Sequence, residues 1–229
     1  LFPRSCLGCG DLIEREEPCL YLCLGCIAQM PWVQFPCCQK CGLPFHGELV
    51  GDRECSNCVE LNPSFHRGRV AFLLSGIGQS LVHALKYRGV LGVLRDLPCL
   101  LEQVPDYLSF FEDAILVPVL LHANRLRKRG YNQAALIART LSDVVESASF
   151  TDLLLRPRST PTQTALPRER RLKNVKNAFA PKPESVMDRT RRYVVIDDVI
   201  TTGATLEACS RVLRKAGASR VDVAALGRG

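Results

Sequence analysis

The stretch that decides the fold is V-V-I-D-D-V-I-T-T-G-A-T-L, Val194 to Leu206. Within 13 residues an apolar strand, two consecutive carboxylates, a Thr/Gly loop and the start of a helix follow one another. Thr201, Thr202, Gly203, Ala204 and Thr205 offer hydroxyls and successive backbone N–H groups at the positive end of that helix, a cradle suited to phosphate. Asp197 and Asp198 are expected at the carboxyl end of the strand, facing the crevice where open α/β sheets bind ligands. There they can accept hydrogen bonds from ribose hydroxyls, or orient Mg²⁺ through water. No G-K-[ST] follows the glycine, which excludes a Walker loop, and no G-x-G-x-x-G occurs, which excludes a dinucleotide fingerprint. An acidic turn capping a helix would account for the dipeptide alone, but not for the whole run.

Outward from this stretch, short apolar runs alternate with amphipathic ones. Val70–Leu74, Ala114–Val119, Leu153–Leu155, Tyr193–Ile196 and Val221–Leu226 read as strands. Gln79–Arg88, Asn132–Ser147 and Gly203–Ala216 read as helices, and Leu91–Val104 as a helical stretch that Pro98 can break. Strands alternating with helices predict an α/β fold with a mostly parallel sheet flanked by helices.

The first 62 residues differ in kind. Ten of the twelve cysteines lie in the first 58 residues, leaving Cys99 and Cys209 beyond them. Four C-x-x-C pairs occur: Cys6/Cys9, Cys23/Cys26, Cys38/Cys41 and Cys55/Cys58. Two such turns complete a tetrahedral thiolate site, so eight ligands suit two structural zinc ions. The spacing leaves open whether neighbouring pairs share an ion or alternate. Cys19 and Cys37 read as bystanders, and His46 and His66 as surface histidines. A segment this poor in large apolar groups needs a metal to hold it. The expected division is a small Cys-rich, double zinc-ribbon-like module over 1–62 and an α/β domain over 63–229.

Composition narrows the class without naming a function. The chain has 229 residues, 47% hydrophobic and 23% charged, with a formal charge of +7. That balance excludes a disordered, collagenous or coiled-coil protein. No apolar run approaches the roughly 20 residues of a membrane helix, so no membrane insertion is expected. With no secretory leader in view, clustered cysteines point to a reducing compartment, and the expected location is cytoplasmic. The positive charge permits a polyanionic partner, either nucleic acid or a phosphorylated metabolite.

The acidic run resembles the phosphoribosyl-pyrophosphate (PRPP) motif of type I phosphoribosyltransferases. Together with the four knuckles, V-P-V-L-L-H-A-N-R-L-R-K-R-G-Y-N-Q (Val117–Gln133) and T-Q-T-A-L-P-R-E-R-R-L-K-N-V-K-N-A-F (Thr162–Phe179), it resembles the ComF/GntX family over nearly the whole chain. Leu120 departs from the proline often found there, which bears on the local loop shape. The resemblance implies a Mg²⁺-dependent phosphoribosyltransferase-like protein associated with competence and the use of imported DNA. It also implies that PRPP or a nucleotide-like ligand sits on Asp197, Asp198 and residues 201–205. Pyrophosphate would then lie at the basic run Arg125–Arg129, with Arg125 and Arg129 as its contacts and Asn132 and Gln133 fixing the loop or touching the ligand.

Residues 156–176 carry seven Arg or Lys against one acid, Glu169. A basic flap suits an active site that must exclude water. Departing pyrophosphate needs positive charge, and Arg168, Arg171 and Lys173 are the candidates, alongside the Asp197/Asp198 pair, for the catalytic group. Asn174, Asn177 and Phe179 belong to the frame of the family motif. No general base announces itself; His83 and His122 are the available histidines. Three functions stay open: a phosphoribosyltransferase of unknown acceptor, a non-catalytic PRPP or nucleotide sensor that handles single-stranded DNA with DNA-uptake proteins, and a zinc-ribbon adaptor. Residues 65–112 are expected to supply the hood that selects an acceptor. One tryptophan, Trp32, and no interleaved aromatic–basic run leave the DNA reading resting on the resemblance.

Overall fold

The computed structural model describes residues 4–45, 53–158, 175, 177–183 and 185–229. The Cys-rich segment contributes two short helices, α1 (Leu24–Ala28) and α2 (Ser56–Leu61). The α/β part then runs β1 (Gly68–Leu73), α3 (Gly76–Tyr87), α4 (Leu97–Leu101), β2 (Ala114–Pro118), α5 (Ala123–Arg129) and α6 (Gln133–Val144). It continues through β3 (Ser149–Phe150), β4 (Leu154–Leu155), β5 (Ala180–Pro181), β6 (Arg192–Ile200), α7 (Ala204–Lys215) and β7 (Arg220–Arg228). Among the described residues five strands form one parallel sheet in the order β1–β7–β6–β2–β3, and β4 pairs antiparallel with β5.

The expected α/β architecture, a parallel sheet flanked by helices and preceded by a Cys-rich module, is thus present. The burial pattern follows from it. A central parallel strand is covered on both faces and reads as a continuous apolar run. Tyr193–Ile196 and Val221–Leu226 are buried at every position. Val194, Ile196, Ala224 and Leu226 pack on one face with Leu81, Leu85, Ile137 and Leu141. Tyr193, Val195, Val221 and Val223 pack on the other with Leu206, Cys209 and Leu213 of α7.

Three elements depart from expectation. β6 does not stop at Ile196; its pairing with β7 continues to Ile200, through both aspartates. The stretch expected as one helix over 91–104 is a 3₁₀ turn, Leu91–Arg95, followed by α4, with the break at Asp96. Pro98 therefore sits in the first turn of a helix, where its missing N–H costs nothing. The Arg125–Arg129 run, expected as a loop, is the helix α5.

The Cys-rich segment closes the β1 edge of the sheet. Val33 N–H donates to the Ala71 carbonyl (2.9 Å) and Leu73 N–H to the Pro31 carbonyl (2.8 Å). Trp32 meets Phe72 edge-on at 6.2 Å between ring centroids. Gly68 and Gly92 allow the closest approaches: a Cβ on either would collide, with the Lys40 carbonyl or the Tyr21 ring. Cys19, Leu22, Ile27 and Met30 share an apolar cluster with Leu85, Leu97 and Leu100. Asp96, 1% exposed, accepts the backbone N–H groups of Leu20 (2.9 Å) and Tyr21 (2.7 Å).

Asp96→Ala leaves those two N–H groups buried without a partner. It is expected to lower stability by about 2–4 kcal/mol in chemical denaturation; a loss below about 0.5 kcal/mol would show that water replaces the carboxylate.

Candidate functional site

The eight knuckle cysteines gather into two clusters. Cys6, Cys9, Cys23 and Cys26 bring their sulfurs within 4.8 Å of one another, as do Cys38, Cys41, Cys55 and Cys58. Neighbouring pairs therefore share a site and do not alternate. Cys9 and Cys23 sulfurs lie 3.8 Å apart, and Cys41 and Cys55 sulfurs 3.7 Å. Zinc bound tetrahedrally at about 2.3 Å spaces its sulfurs about 3.8 Å apart, so both sets fit the ion. Backbone N–H groups of Gly8 (3.3 Å) and Cys23 (3.4 Å) point at Cys6 Sγ, and that of Cys55 at Cys38 Sγ (3.2 Å). Burial raises the Cys6 thiol, but these N–H groups outweigh it and bring it down to about 6.

Cys19 is fully buried and Cys37 half-buried, both outside the clusters. His66 is no ligand either: its Nδ1 lies 3.1 Å from the Val221 carbonyl and its Nε2 3.2 Å from Arg214. His46 lies outside the described residues.

The acidic pair sits in the second half of β6. Successive side chains of a strand point to opposite faces, so the two carboxylates part company. Asp198, 3% exposed, turns to the α3 face, where its Oδ2 lies 2.9 Å from Lys86 Nζ. Asp197, half-buried, turns to the α7 face, within electrostatic reach of Arg156 and the Cys209 thiol. The expectation that both enter one crevice together is corrected by β6 running past them. Burial first, then the charge of Asp198, pushes the Asp197 carboxyl up to about 8, while Lys86 pulls the other way.

The loop after β6 is built as a cradle. Gly203 has φ +76°, a left-handed conformation that glycine adopts without strain, and caps the 12-residue helix α7. Thr202 Oγ1 lies 3.4 Å from Ala204 N. Thr201, Thr202, Gly203 and Thr205 are half-buried, and Ala204 is buried. A cavity of about 700 Å³ reaches Thr201–Ala204 from the side of Leu43, Phe65 and Arg228, without touching Asp197 or Asp198.

Three arginines belong to the segments that follow β2 and β4: Arg125 and Arg129 on α5, and Arg156, which is within electrostatic reach of Asp197. Arg125 and Arg129, one turn apart on α5, are half-buried, whereas Arg127 and Lys128 are exposed. Arg129 donates to Gln133 Oε1 (2.6 Å) and lies over the Tyr87 ring at 5.5 Å. Burial and then the Arg129 charge lower the Arg125 guanidinium; burial and then the Arg125 charge lower that of Arg156. Such mutual repulsion marks a place where an anion is favoured. Asn132 fixes the loop: its Nδ2 donates to the Val119 carbonyl (3.1 Å) and its Oδ1 caps α6.

A double zinc ribbon domain model matches residues 1–59. Competence protein F of Haemophilus influenzae is 32% identical, over 99% of this chain and 98% of its own. The chain belongs to the competence protein F (ComF) family. The DNA utilization protein YhgH of Escherichia coli is 30% identical over 81% of each chain. Two solved structures give distant likenesses. One is the allosteric regulatory enzyme of purine biosynthesis: 21% identical, 49% of this chain, 21% of that chain, TM-score 0.30. The other is a purine phosphoribosyltransferase from Pyrococcus horikoshii: 17% identical, 62% of this chain, 70% of that chain, TM-score 0.26.

In this ComF-family chain Asp197, Asp198, Arg125, Arg129 and residues 201–205 gather at one end of the sheet. Arg168, Arg171, Lys173 and Asn174 lie outside the described residues; Phe179 is buried under the Arg156 guanidinium at 5.0 Å, and Asn177 is exposed. Lys86 and Arg156 are the two groups that sequence reasoning did not single out. Lys86 closes a helix more than 100 residues before its partner, so no spacing announces it. Arg156 opened the basic stretch but looked like its neighbours. His83 is exposed and stacks on Tyr87 at 4.9 Å, and His122 accepts the Asn124 N–H at 3.2 Å as the cap of α5.

Two outcomes are expected. Metal analysis of the chain purified without added zinc should find two zinc ions, and Cys38→Ser should lose one while keeping the other; two retained ions would break the ligand assignment. For Asp197, a carboxyl held above its unfolded value of about 3.9 weakens the fold progressively as pH rises toward its folded value. Asp197→Asn cannot ionise, so its gain in melting temperature over the wild type should grow between about pH 5 and pH 8 and level off above. A difference independent of pH would refute the raised carboxyl.

Proposed function

We propose that the chain is a cytoplasmic, Mg²⁺-dependent, phosphoribosyltransferase-like protein that binds PRPP in the handling of imported DNA, with an acceptor not defined by the site. Residues 1–62 act as the metal-stapled unit and 63–229 as the phosphoribosyl unit. The observation that carries this reading is the juxtaposition, at one sheet end, of a carboxylate pair, a Thr/Gly helix-cap loop and three mutually repelling arginines. Carboxylates suit ribose hydroxyls, the loop suits the 5-phosphate, and arginines suit pyrophosphate.

In this reading the bond between ribose C1 and the pyrophosphate oxygen breaks, and a bond from C1 to the acceptor forms. Pyrophosphate leaves with the bonding electron pair, and the acceptor loses a proton. Arg125, Arg129 and Arg156 stabilise charge as it develops on the leaving group. Thr201–Thr205 hold the far end of the sugar, which converts binding energy into orientation. Lys86 neutralises Asp198 until a cation or ligand takes its place. Hard carboxylate oxygens fit Mg²⁺, but a pair split across two faces leaves most of its shell to water and phosphate. Bound there, Mg²⁺ would neutralise pyrophosphate charge.

A second reading makes the chain a non-catalytic PRPP or nucleotide sensor that handles single-stranded DNA with DNA-uptake proteins. It is favoured by the roles of the histidines: His83 rests tilted against Tyr87 and His122 caps α5 through its ring nitrogen, both structural contacts. The names of the relatives, competence protein and DNA utilization protein, support the DNA context for either reading.

Titration calorimetry with PRPP and Mg²⁺ tests the shared part. Asp197→Asn with Asp198→Asn should abolish binding, and Arg125→Gln should weaken it about 10-fold or more; an unchanged titration would remove the site. Pyrophosphate release against a panel of bases and amines separates the readings, since binding without release would sink the transferase.

A further inference from the structure

Toward the end of the sheet away from the Thr/Gly loop, arginines mark the first residues of three neighbouring strands, β1, β7 and β6. Arg67 precedes β1, Arg69 lies in it, Arg192 opens β6 and Arg220 opens β7. Three of them, Arg67, Arg192 and Arg220, surround Asp222, which is fully buried. Its Oδ2 lies 3.2 Å from Arg192 Nη1, 3.7 Å from Arg67 Nη2 and 3.9 Å from Arg220 Nε, and its Oδ1 accepts the Arg67 backbone N–H. One carboxylate therefore faces three guanidinium groups. Arg69 donates to the Gly68 carbonyl (3.2 Å), and the Nε atoms of Arg67 and Arg69 are buried without an acceptor.

Aromatic rings alternate with these charges. The Phe110 ring lies under Arg67 and Arg69 at 5.4 Å each and under Arg192 at 5.5 Å. Arg69 also stands 5.3 Å from the Phe35 ring, and Phe35 is 51% exposed. The strip Phe35–Arg69–Phe110–Arg67 thus assembles an aromatic–basic alternation from three distant parts of the chain, although no such run exists in the sequence. The nearby exposed acids, Glu112, Asp113 and Asp188, sit beside β2 and before β6. The carboxylate that the β1–β7 arginines face, Asp222, is buried beneath them.

We propose that this strip is a docking surface for single-stranded nucleic acid, with phosphates on Arg67, Arg69 and Arg220 and a base on the Phe35 ring. Excess guanidinium charge with unfilled donors fits phosphate, and an exposed ring beside it fits an unstacked base, which a duplex withholds. An acidic peptide would meet the charge but leave the ring unused. Arg192 is five residues before Asp197 in β6, about 16 Å at about 3.3 Å per residue, whereas Arg69, level with Ile196 through Ala224, is set off sideways by two strands, about 10 Å. A strand here does not compete with a ligand on the phosphate loop. The surface deepens the second reading above and is independent of PRPP binding.

The test is anisotropy of a labelled oligothymidylate of about 20 nucleotides with the full chain, between about 50 and 200 mM salt. Arg69→Gln with Arg220→Gln leaves Arg67 and Arg192 on Asp222. It should weaken binding about 10-fold or more and lower the salt slope by about two, while the PRPP titration stays unchanged. Phe35→Ala should cost about 5-fold or more. Asp197→Asn with Asp198→Asn should keep the oligonucleotide affinity, so failure of either site reads separately. Unchanged affinity in the strip variants, or displacement of the oligonucleotide by PRPP, would overturn the proposal. Equal or tighter binding of a duplex, or displacement by polyglutamate at equal charge, would do the same. Should the double variant fail to fold, photo-crosslinking of a 5-iododeoxyuridine strand to the wild type decides. Adducts on the peptide containing Phe35 support the strip, and adducts on α5 overturn it.

Discussion

Everything at the candidate site depends on β6 being a central strand that carries two consecutive acids. A central parallel strand must bury both faces, and the pleat sends neighbouring side chains to opposite ones. An isolated buried carboxylate costs far more than a hydrogen-bonded or paired one. The chain meets that cost differently on each side. Asp198 takes a lysine from α3 at 2.9 Å, whereas Asp197 stays half-buried near Arg156 and is driven toward the protonated form. Two identical residues become one paired group and one poised group, through parity alone. Helix α3 is thereby tied to the dipeptide through Lys86, while α7 lies on the opposite face.

The Cys-rich segment solves a second problem of the same sheet. An open edge strand exposes unpaired N–H and C=O groups that invite wrong pairing. Pro31 and Val33 satisfy part of the β1 edge, and Trp32 packs over Phe72. Short helices such as α1 and α2 hold little stability by themselves; two thiolate sites fix them, and the buried Asp96 clamps Leu20 and Tyr21 from the other side. The second cluster also neighbours functional geometry, since Cys41 and Cys58 line the same cavity as Thr201–Ala204. The second thiolate cluster, the edge-closing segment and the Thr/Gly loop are therefore physically contiguous.

Much of this was legible in the residue order because the responsible signals are local. Strand, loop and helix cap lie together in Val194–Leu206, and each knuckle is a four-residue turn. What escaped was set by partners distant in sequence. The end of β6 was misjudged because two aspartates look like a strand terminus, yet pairing with β7 carries the strand to Ile200. Lys86 owes its role to a partner on another strand. The Arg125–Arg129 run looked like a loop because its charges mask helix propensity, although His122 caps it and Gly130, at φ +85°, ends it. Pairing of the knuckles could not be read from spacing, because either arrangement satisfies four thiolates.

The positive charge has the most instructive history. As a sum it could not tell a metabolite from a polymer. Folding sorts it by sheet polarity: one set of arginines gathers at the carboxyl ends of the strands, and another at their amino ends. The two sets differ in how they are held. Arg125 feels the charge of Arg129, and Arg156 that of Arg125, in a half-buried group on and beside α5. Arg67, Arg69 and Arg192 are spread over Phe110, and the buried Asp222 anchors Arg67 and Arg192. A ring flattens guanidinium groups into a row, which suits an extended chain of phosphates better than a single one. Charge of one sign thus acquires two geometries, one gathered on and beside a short helix and one spread over a ring.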